Sequence, residues 1–331
     1  MPTLILDRLR CPDCGQAMAE EEGGVVCGGG HRLPFRSGYL DASNAPVDED
    51  TQRTFRSFGY EWTRFEQMPD QDEVSWQEYF ASVPLEELQG RVALDAGCGQ
   101  GRYTRFTAAR VKALVALDGS DAVVAAAAHL SDLPNVEVIK ADLRRAPLAP
   151  ESFGFVSCLG VLHHLSDPEE GFRALVRLLA PGGILLLYLY SRPESGGFRA
   201  TALAGAAALR TVTVRLPHPL LRAVSAPIAL ALDALVVLPG RLGEGKGARL
   251  ARLDRLPLAA YRRRPFKTLW LDTFDRLSAP IETRYVWDDV EPWFRNAGLS
   301  VEAVSHTTGL TVVARRGDDR DDGEVPCTSS G

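Results

Sequence analysis

Four residues near the start of the chain have the types and the spacing of a metal site. Cys11 and Cys14 are separated by two residues. Twelve residues then lead to Cys27, and three more lead to His31. Zinc prefers four thiolate or imidazole ligands in a tetrahedron, and free or redox-active cysteines are the alternative. Because two paired ligand spacings occur within about 30 residues, we expect a structural Zn²⁺ at these four positions.

A second candidate site follows the apolar run VALDA at residues 92–96. Gly97, Gly99 and Gly101 alternate there, and the first of them is two residues after the acidic Asp95. Position 102 is an arginine, so the dinucleotide fingerprint lacks its third glycine, and the Lys-Ser/Thr pair of a phosphate-binding loop is absent. Asp118 lies about 20 residues after the first glycine, where an acid can accept hydrogen bonds from ribose hydroxyls. The pattern predicts a nucleoside site without a phosphate clamp.

The elements that must position this site alternate between strand-like and helix-like segments. The strand-like runs are RVALDAG, KALVALDGS, VEVIKADL, FGFVSCLGVLHHL and ILLLYLY. Such alternation predicts right-handed crossovers and a parallel sheet, and ligands bind at the carboxyl ends of its strands. The glycine loop and Asp118 both follow strand-like runs, so we predict an α/β fold with its site at that edge.

These motifs resemble class I S-adenosylmethionine-dependent methyltransferases, in chain order from about Phe58 to Arg315. The matching segments are LDAGCGQGR, Asp118, KADLRRAPLAPESFGFVSCLGVLHHLSDP, RLLAPGGILLLY and WFRNAGLSVEAVSHTTGLTVVARR. The resemblance implies a doubly wound, seven-stranded Rossmann-like sheet with an antiparallel last strand, a small N-terminal zinc ribbon and a helical cap insert. It also implies an enzyme whose cofactor is S-adenosylmethionine.

The resemblance assigns roles to particular residues. Asp95 and the glycine loop would contact the methionine part of the cofactor, Asp118 the ribose, and Asp142 with Leu143 the adenine. The aromatic segment around Tyr60 would either fold over the cofactor or simply dock against the main domain. The cofactor contacts implied in this way are Tyr60, Trp62, Asp95, Gly97, Cys98, Gly99, Gly101, Asp118, Gly119, Ser120, Asp142, Leu143 and Leu159.

A general base is needed only when the acceptor must lose a proton, because the sulfonium already makes the methyl group electrophilic. His163 and His164 are the candidates, since they follow the fourth strand beside the expected transfer site. The same sequence, HHL, also occurs in this fold without a catalytic role. Cys98 is expected to pack as a small residue rather than to act as a nucleophile.

The best indication of the methyl acceptor is the segment between the fifth strand-like run and the closing helix. Residues 198–267 contain 13 Lys or Arg and three acidic residues, a balance of +10 that leaves −16 for the rest of the chain. The segment is expected to be helical and to cap the substrate pocket. Its alternatives are peripheral membrane contact, through apolar faces with basic residues at anionic head groups, and binding of RNA phosphates.

We expect a small-molecule or lipid-like acceptor, with RNA second and a non-catalytic cofactor-binding scaffold third. The cysteine spacing resembles the N-terminal ribbon of bacterial ribosomal RNA guanine methyltransferases, which favours RNA. The acidic overall balance, EEE at residues 20–22 and CLGV in place of an amino-methylating NPPY-like tetrad oppose nucleic acid.

The predicted organisation has five parts. Residues 1–45 form the zinc ribbon, 46–190 the cofactor-binding core, 191–283 the insert, 284–316 the closing helix and hairpin, and 317–331 a disordered acidic tail. A signal peptide and a run of about 18 uninterrupted apolar residues are not evident. We therefore expect a cytoplasmic protein, with the option of membrane contact, and the sequence does not indicate an oligomeric state.

Overall fold

The computed structural model describes residues 4–44, 47–65, 69–193, 198–243, 258, 261–262, 264–306 and 309–318. Its strands are β1 Met18–Glu21, β2 Gly24–Cys27, β3 Arg32–Arg36, β4 Tyr39–Asp41, β5 Val92–Ala96, β6 Ala113–Asp118, β7 Val136–Lys140, β8 Phe153–Leu159, β9 Leu179–Leu189, β10 Leu299–Ser305 and β11 Leu310–Arg316. Its α-helices are α1 Glu49–Arg64, α2 Pro69–Tyr79, α3 Thr104–Ala108, α4 Ala122–His129, α5 Pro168–Leu178, α6 Phe198–Thr213, α7 His218–Leu232, α8 Leu238–Gly243, α9 Phe266–Ser278 and α10 Trp287–Asn296.

The strands form one mixed sheet in the order β1-β2-β3-β4-β7-β6-β5-β8-β9-β11-β10. The strands from β4 to β9 pair in parallel, whereas β11 is antiparallel to both β9 and β10. The predicted α/β Rossmann-like fold with an antiparallel last strand is confirmed. Within the described residues the sheet has eleven strands, of which seven, β5 to β11, belong to the core and four N-terminal strands continue it beyond β7.

Both faces of the central sheet are buried, which explains the continuous apolar runs of its strands. In β6, Leu114 and Ala116 pack on one face, while Val115 and Leu117 pack on the other. All four are at most 1% exposed. Successive side chains of a strand point to opposite faces, so a strand between two helical layers must be apolar at every position. The carboxyl ends of β5 and β6 are thereby held rigidly in place.

The N-terminal strands are fused to the core rather than attached by a free linker. In the parallel pair of β4 with β7, Leu40 lies opposite Ile139, and the N–H of Ala42 donates to the carbonyl of Lys140 at 2.9 Å. Leu40 is fully buried and shares the core with Leu9. The N-terminal segment therefore covers an edge of the sheet that would otherwise expose unpaired backbone groups.

Helix α1 lies across the carboxyl edge of the sheet and contacts the insert. Asp48 caps the helix by accepting a hydrogen bond from the N–H of Thr51 at 2.8 Å. The hydroxyl of Ser57 donates to the carbonyl of Ser278, at the end of α9, at 3.2 Å. Helices α6 and α7 pack on α9 in turn. The described part of the insert is helical and rests on α1.

One continuous helical stretch of the insert is unusual in its exposure. His218–Arg241 joins α7 to α8 through a π-helical turn at Asp233–Val237. Within the described residues it is the one helix long and apolar enough to cross a membrane, and 22% of its most apolar window is buried. Residues 244–257 of the basic segment, and the tail from residue 319, lie outside the described residues.

Candidate functional site

A cavity of about 870 Å³, including its open mouth, lies between α1 and the carboxyl ends of β5, β6, β7 and β8. The residues predicted from the sequence that line it are Trp62, Asp95, Gly97, Cys98, Gly99, Asp118, Gly119, Ser120, Asp142, Leu143, Leu159 and His164. The site thus lies at the edge of the sheet where parallel strands end, as α/β topology requires.

Three predicted residues lie outside this lining. The Tyr60 ring stacks on His218, with the ring centroids 5.1 Å apart. Gly101 faces α4, where an added Cβ would come within 2.8 Å of Leu130 Cδ1. His163 is completely buried beside His164. Their proposed roles remain predictions.

Several lining residues were not predicted from the sequence. Helix α1 contributes Thr54, Phe55 and Phe58 alongside Trp62. Positions 55, 58 and 62 are spaced by three and four residues, so they share one helical face. This spacing in the sequence could have identified these lining residues, and it places Tyr60 on a different face of the helix. The Phe55 ring covers Gly119, where an added Cβ would lie 2.2 Å from Phe55 Cζ.

The glycine loop leaves β5 with a backbone that only glycine adopts easily. Gly97 has φ of +81°, and its N–H donates to the carbonyl of Leu117 in the neighbouring strand at 2.7 Å. A Cβ at Gly97 would lie 2.1 Å from Val161 Cγ2. Gly97 is therefore required both for its conformation and for the close approach of the segment after β8.

Asp118 ties the second strand to the loop. Its Oδ2 accepts from the N–H of Gly99 at 2.9 Å, and its Oδ1 accepts from the N–H and the hydroxyl of Ser120 at 2.8 and 2.6 Å. Burial raises the pKa of Asp118, although these hydrogen bonds act in the opposite direction. A carboxylate has about four acceptor positions, so one position on Oδ2 is left for a ligand hydroxyl.

The buried carboxylate of Asp95 accepts hydrogen bonds from two hydroxyl groups next to the glycine loop. Its Oδ2 accepts from the hydroxyl of Thr104 at 2.6 Å and its Oδ1 from the hydroxyl of Ser157 at 3.2 Å. Burial raises the pKa of Asp95 to about 6, because removal from water disfavours the charged form more than these two donors favour it.

The far end of the cavity is bordered by Asp142 and Leu143. Arg144 Nη2 lies 2.6 Å from Asp142 Oδ2, and the Arg144 backbone N–H donates to Asp142 Oδ1 at 2.9 Å. Arg102 also lines the cavity, and its guanidinium lies 4.5 Å from the Trp62 ring centroid and 4.8 Å from that of Tyr103. The lining therefore contains three acidic residues at strand ends and one arginine among aromatic rings.

The two histidines have opposite hydrogen-bond arrangements. His164 Nδ1 lies 2.6 Å from the carbonyl oxygen of Ile281, so Nδ1 carries the proton and Nε2 keeps a lone pair. His163 Nδ1 accepts from the N–H of Tyr190 at 3.4 Å, so its proton is on Nε2. Burial lowers the pKa of His163 well below its ordinary value. Of the two, His164 is the one that lines the cavity, and its Nε2 is buried without a hydrogen-bond partner among the described residues.

The four predicted metal ligands converge. The ligand atoms of Cys11, Cys14, Cys27 and His31 all lie within 4.8 Å of one another. Cys14 Sγ is 3.6 Å from Cys27 Sγ, and His31 Nδ1 is 3.4 Å from Cys11 Sγ. Ligand atoms about 2.0–2.3 Å from a central zinc ion in a tetrahedron are separated by distances of this size. The donor set fits a closed zinc site with no position left for substrate.

The strand order, the glycine loop and the position of Asp118 at the end of β6 are the features that the resemblance to class I S-adenosylmethionine-dependent methyltransferases predicts. In agreement, residues 94–187 match the family model described as a methyltransferase domain. The cavity fits the cofactor, since Gly97 and Gly99 line it and Asp118 keeps an acceptor position for a ribose hydroxyl.

The similar proteins include enzymes with different acceptors in their names. The 2-phytyl-1,4-naphtoquinone methyltransferase of Thermosynechococcus vestitus is 36% identical over 115 residues, which is 34% of this chain and 51% of that protein. The tRNA U34 carboxymethyltransferase of Desulfotalea psychrophila is 35% identical over 121 residues, 35% of this chain and 37% of that protein. This chain therefore spans about half or less of either relative.

Among solved structures, an S-adenosylmethionine-dependent methyltransferase from Mesorhizobium loti is similar. It is 18% identical, with a TM-score of 0.44, and the match covers 73% of this chain and 97% of that one.

Proposed function

We propose that the chain transfers a methyl group from S-adenosylmethionine to a small-molecule or lipid-like acceptor. The observation that carries this proposal is the cavity at the carboxyl ends of β5 and β6, where the glycine loop and Asp118 meet. The naphthoquinone-modifying relative supports a small, apolar acceptor, and the whole activity of this chain remains part of the proposal.

The cofactor supplies an electrophilic methyl group, so the protein's tasks are to orient the acceptor and to exclude water. Phe58 and Trp62 of α1 line the cavity. His164 is the residue proposed to take a proton when the acceptor must lose one, because it lines the cavity and its Nε2 has no hydrogen-bond partner among the described residues. Tyr60 contacts His218, and His163 contacts His164, so both are proposed to support residues of the site rather than to line it.

The test is to incubate the purified protein with methyl-labelled S-adenosylmethionine and extract of the source cells. The label is then partitioned among lipid, nucleic-acid, protein and small polar fractions. Label in the lipid or small-molecule fraction is expected. Label in RNA would overturn the proposed acceptor class and make the N-terminal ribbon an RNA-recognition element. Binding of the cofactor without transfer to any fraction would favour a scaffold.

We also propose that Cys11, Cys14, Cys27 and His31 hold a structural Zn²⁺. The support is the convergence of the four ligand atoms together with the direct pairing of this segment to β7. Metal analysis of the purified chain should give one zinc per molecule, and none in the Cys14→Ser variant after dialysis.

A further part of the proposal is that the protein is cytoplasmic and contacts a membrane through helices α6 to α8. Large apolar side chains are unusually exposed there: Leu209 44%, Val212 59%, Leu220 50%, Leu230 60%, Leu235 78% and Leu238 41%. Exposed apolar surface of this extent is rare on soluble monomers. Arg215 is exposed in the turn between α6 and α7, and a cation near exposed apolar side chains suits anionic head groups.

Flotation with vesicles of phosphatidylcholine containing anionic phosphatidylglycerol tests this contact. The double variant Leu230→Glu, Leu235→Glu should lose at least tenfold in vesicle-bound fraction. Val124→Glu is the matched control, because Val124 is 47% exposed on α4, away from the insert. Equal flotation of all three proteins would contradict the membrane contact and leave the methyl transfer untouched.

A further inference from the structure

Buried acidic side chains lie between α1 and α9, beside the cavity. Glu61 of α1 is 1% exposed, and its Oε2 has no hydrogen-bond partner among the described residues. Oδ1 of Asp275 on α9 also has no hydrogen-bond partner among the described residues. Burial raises the pKa of both carboxyls, and the charge of Asp275 acts in the same direction on Glu61. Two buried acids with an unused oxygen each are costly for the free protein, unless a ligand completes them.

Tyrosine rings line the same region. The hydroxyl of Tyr190 donates to Asp275 Oδ2 at 3.0 Å. The ring centroids of Tyr190 and His163 are 3.9 Å apart. The Tyr188 ring lies 6.1 Å from Tyr190 and 4.7 Å from Tyr79. Burial raises the pKa of each of these tyrosines, so they stay neutral, and the Arg284 guanidinium already lies 5.1 Å from the Tyr190 ring centroid.

This acid–tyrosine cluster, defined by Glu61, Asp275, Tyr188 and Tyr190, adjoins the expected methyl-transfer point. Tyr188 lies opposite Leu159 in the pairing of β8 with β9, and Leu159 lines the cofactor cavity. Tyr190 contacts His164, which also lines that cavity, with ring centroids 5.6 Å apart. An acceptor held by the cluster is therefore next to the base and to the cofactor.

Two arginines act on the cluster without donating a hydrogen bond to its unused oxygens. The charge of Arg102 acts to lower the pKa of Glu61, and Arg276 interacts electrostatically with Asp272 and Asp275. Asp272 adds a negative charge that acts to raise the pKa of both Glu61 and Asp275. Glu61 Oε2 and Asp275 Oδ1 are therefore left without a donor among the described residues.

We infer that the acid–tyrosine cluster is the acceptor subsite, and that it takes an acceptor bearing a protonated amine. A bound ammonium favours the ionised form of the two carboxyls, and carboxylates recognise ammonium groups by charge-assisted hydrogen bonding. The ammonium gives one proton to His164 Nε2. The nitrogen lone pair then forms a bond to the methyl carbon while the carbon–sulfur bond breaks and leaves its electron pair on sulfur. This inference rests on the proposed methyl transfer.

The test compares three small probes on protein saturated with S-adenosylhomocysteine: benzylamine, benzyl alcohol and benzoate. They share a ring and differ in charge. By calorimetry, benzylamine should bind at least tenfold more tightly than either of the others. Equal affinities, tighter binding of benzoate, or no saturable binding of benzylamine would overturn the inference. Failure of S-adenosylhomocysteine to bind at all would instead refute the proposed function.

Two variants locate the effect. Glu61→Gln and Asp275→Asn should each lower benzylamine affinity at least fivefold and leave S-adenosylhomocysteine affinity unchanged. Glu49→Gln is the matched control, since Glu49 is on the same helix, exposed and paired with Arg53 at 2.6 Å. Unchanged benzylamine affinity in both cluster variants would contradict the assignment. If a variant does not fold, the order of the three probes on the unaltered protein decides.

Discussion

His164 donates its Nδ1 proton to the carbonyl oxygen of Ile281 across 2.6 Å, which fixes the tautomer of a histidine at the cavity wall. Ile281 precedes the strand-like bridge between Ser191 and Tyr285, so the insert's last residues orient this ring. Neighbouring His163 has the opposite tautomer and is fully buried. Of the two adjacent histidines, His164 is therefore suited to take a proton, and His163 packs beside it.

The first prediction concerns this difference. His164→Gln should reduce label transfer to the acceptor fraction by about 100-fold, because a general base contributes roughly that factor or more. Affinity for S-adenosylhomocysteine, measured by calorimetry, should stay the same. His129→Gln is the control, because His129 is on α4 with its Nδ1 at the carbonyl of Gln100. Full transfer by His164→Gln would show that the acceptor needs no base at this position.

The second prediction tests the ribose contact. Asp118→Ala should weaken binding of S-adenosylhomocysteine by about 1–3 kcal/mol, because a buried hydroxyl loses its acceptor. The loss includes the released N–H groups of Gly99 and Ser120, which Asp118 holds in the free protein. Asp132→Ala is the control, since Asp132 forms an exposed ion pair with Arg105. Unchanged affinity of Asp118→Ala by calorimetry would mean that the ribose lies elsewhere.

A third prediction separates backbone strain from steric clash in the loop. Gly97 and Gly90 both have φ of +81°, but an added Cβ meets Val161 at 2.1 Å only in the first case. Gly90→Ala should cost about 1–2 kcal/mol of unfolding free energy, the ordinary penalty of this conformation. Gly97→Ala should cost about 1–3 kcal/mol more and abolish cofactor binding. Urea unfolding and calorimetry measure both, and equal effects of the two variants would refute the close-approach argument.

The core and the loop could be predicted from the sequence because their signals are local. VALDA and LVALD are apolar runs that end in glycine or acid, and the consequence of such a pattern follows directly from strand geometry. The carboxyl-edge position of Asp118 then follows from parallel topology. No knowledge of side-chain packing was needed for these steps.

Other features depend on contacts between distant parts of the chain. The pairing of β4 with β7 joins Leu40 to Ile139, and no local pattern in either segment specifies that partner. The meeting of Glu61 with Asp275 depends on how α9 packs on α1. In the aromatic segment the composition was visible, but the choice between Phe55 and Tyr60 required the helical register.

The fourth prediction is that removing zinc with a chelator destabilises the core sheet as well as the N-terminal ribbon. Strand β4 is within the same N-terminal segment as the four ligands and pairs with β7, which leads directly to Asp142. We expect a chelator to lower the melting temperature by about 5 °C or more, since a structural site contributes several kcal/mol. Cys14→Ser should melt at the chelated temperature and respond no further to chelator. An identical melting temperature with and without chelator would contradict a structural role.

The last prediction uses the pKa of Asp95, which burial raises to about 6 from an ordinary value of 3.8. A carboxyl whose pKa is higher in the folded state stabilises the fold while protonated, and that contribution is lost as the pH rises through the folded pKa. The difference of about two pKa units corresponds to about 3 kcal/mol. Asp95→Asn has no such proton, so the unfolding free energy of the unaltered protein, relative to this variant, should fall by up to about 3 kcal/mol from about pH 4 to about pH 7. Urea unfolding across that range measures the difference, and a constant difference at every pH would show that Asp95 titrates alike in the folded and unfolded chain.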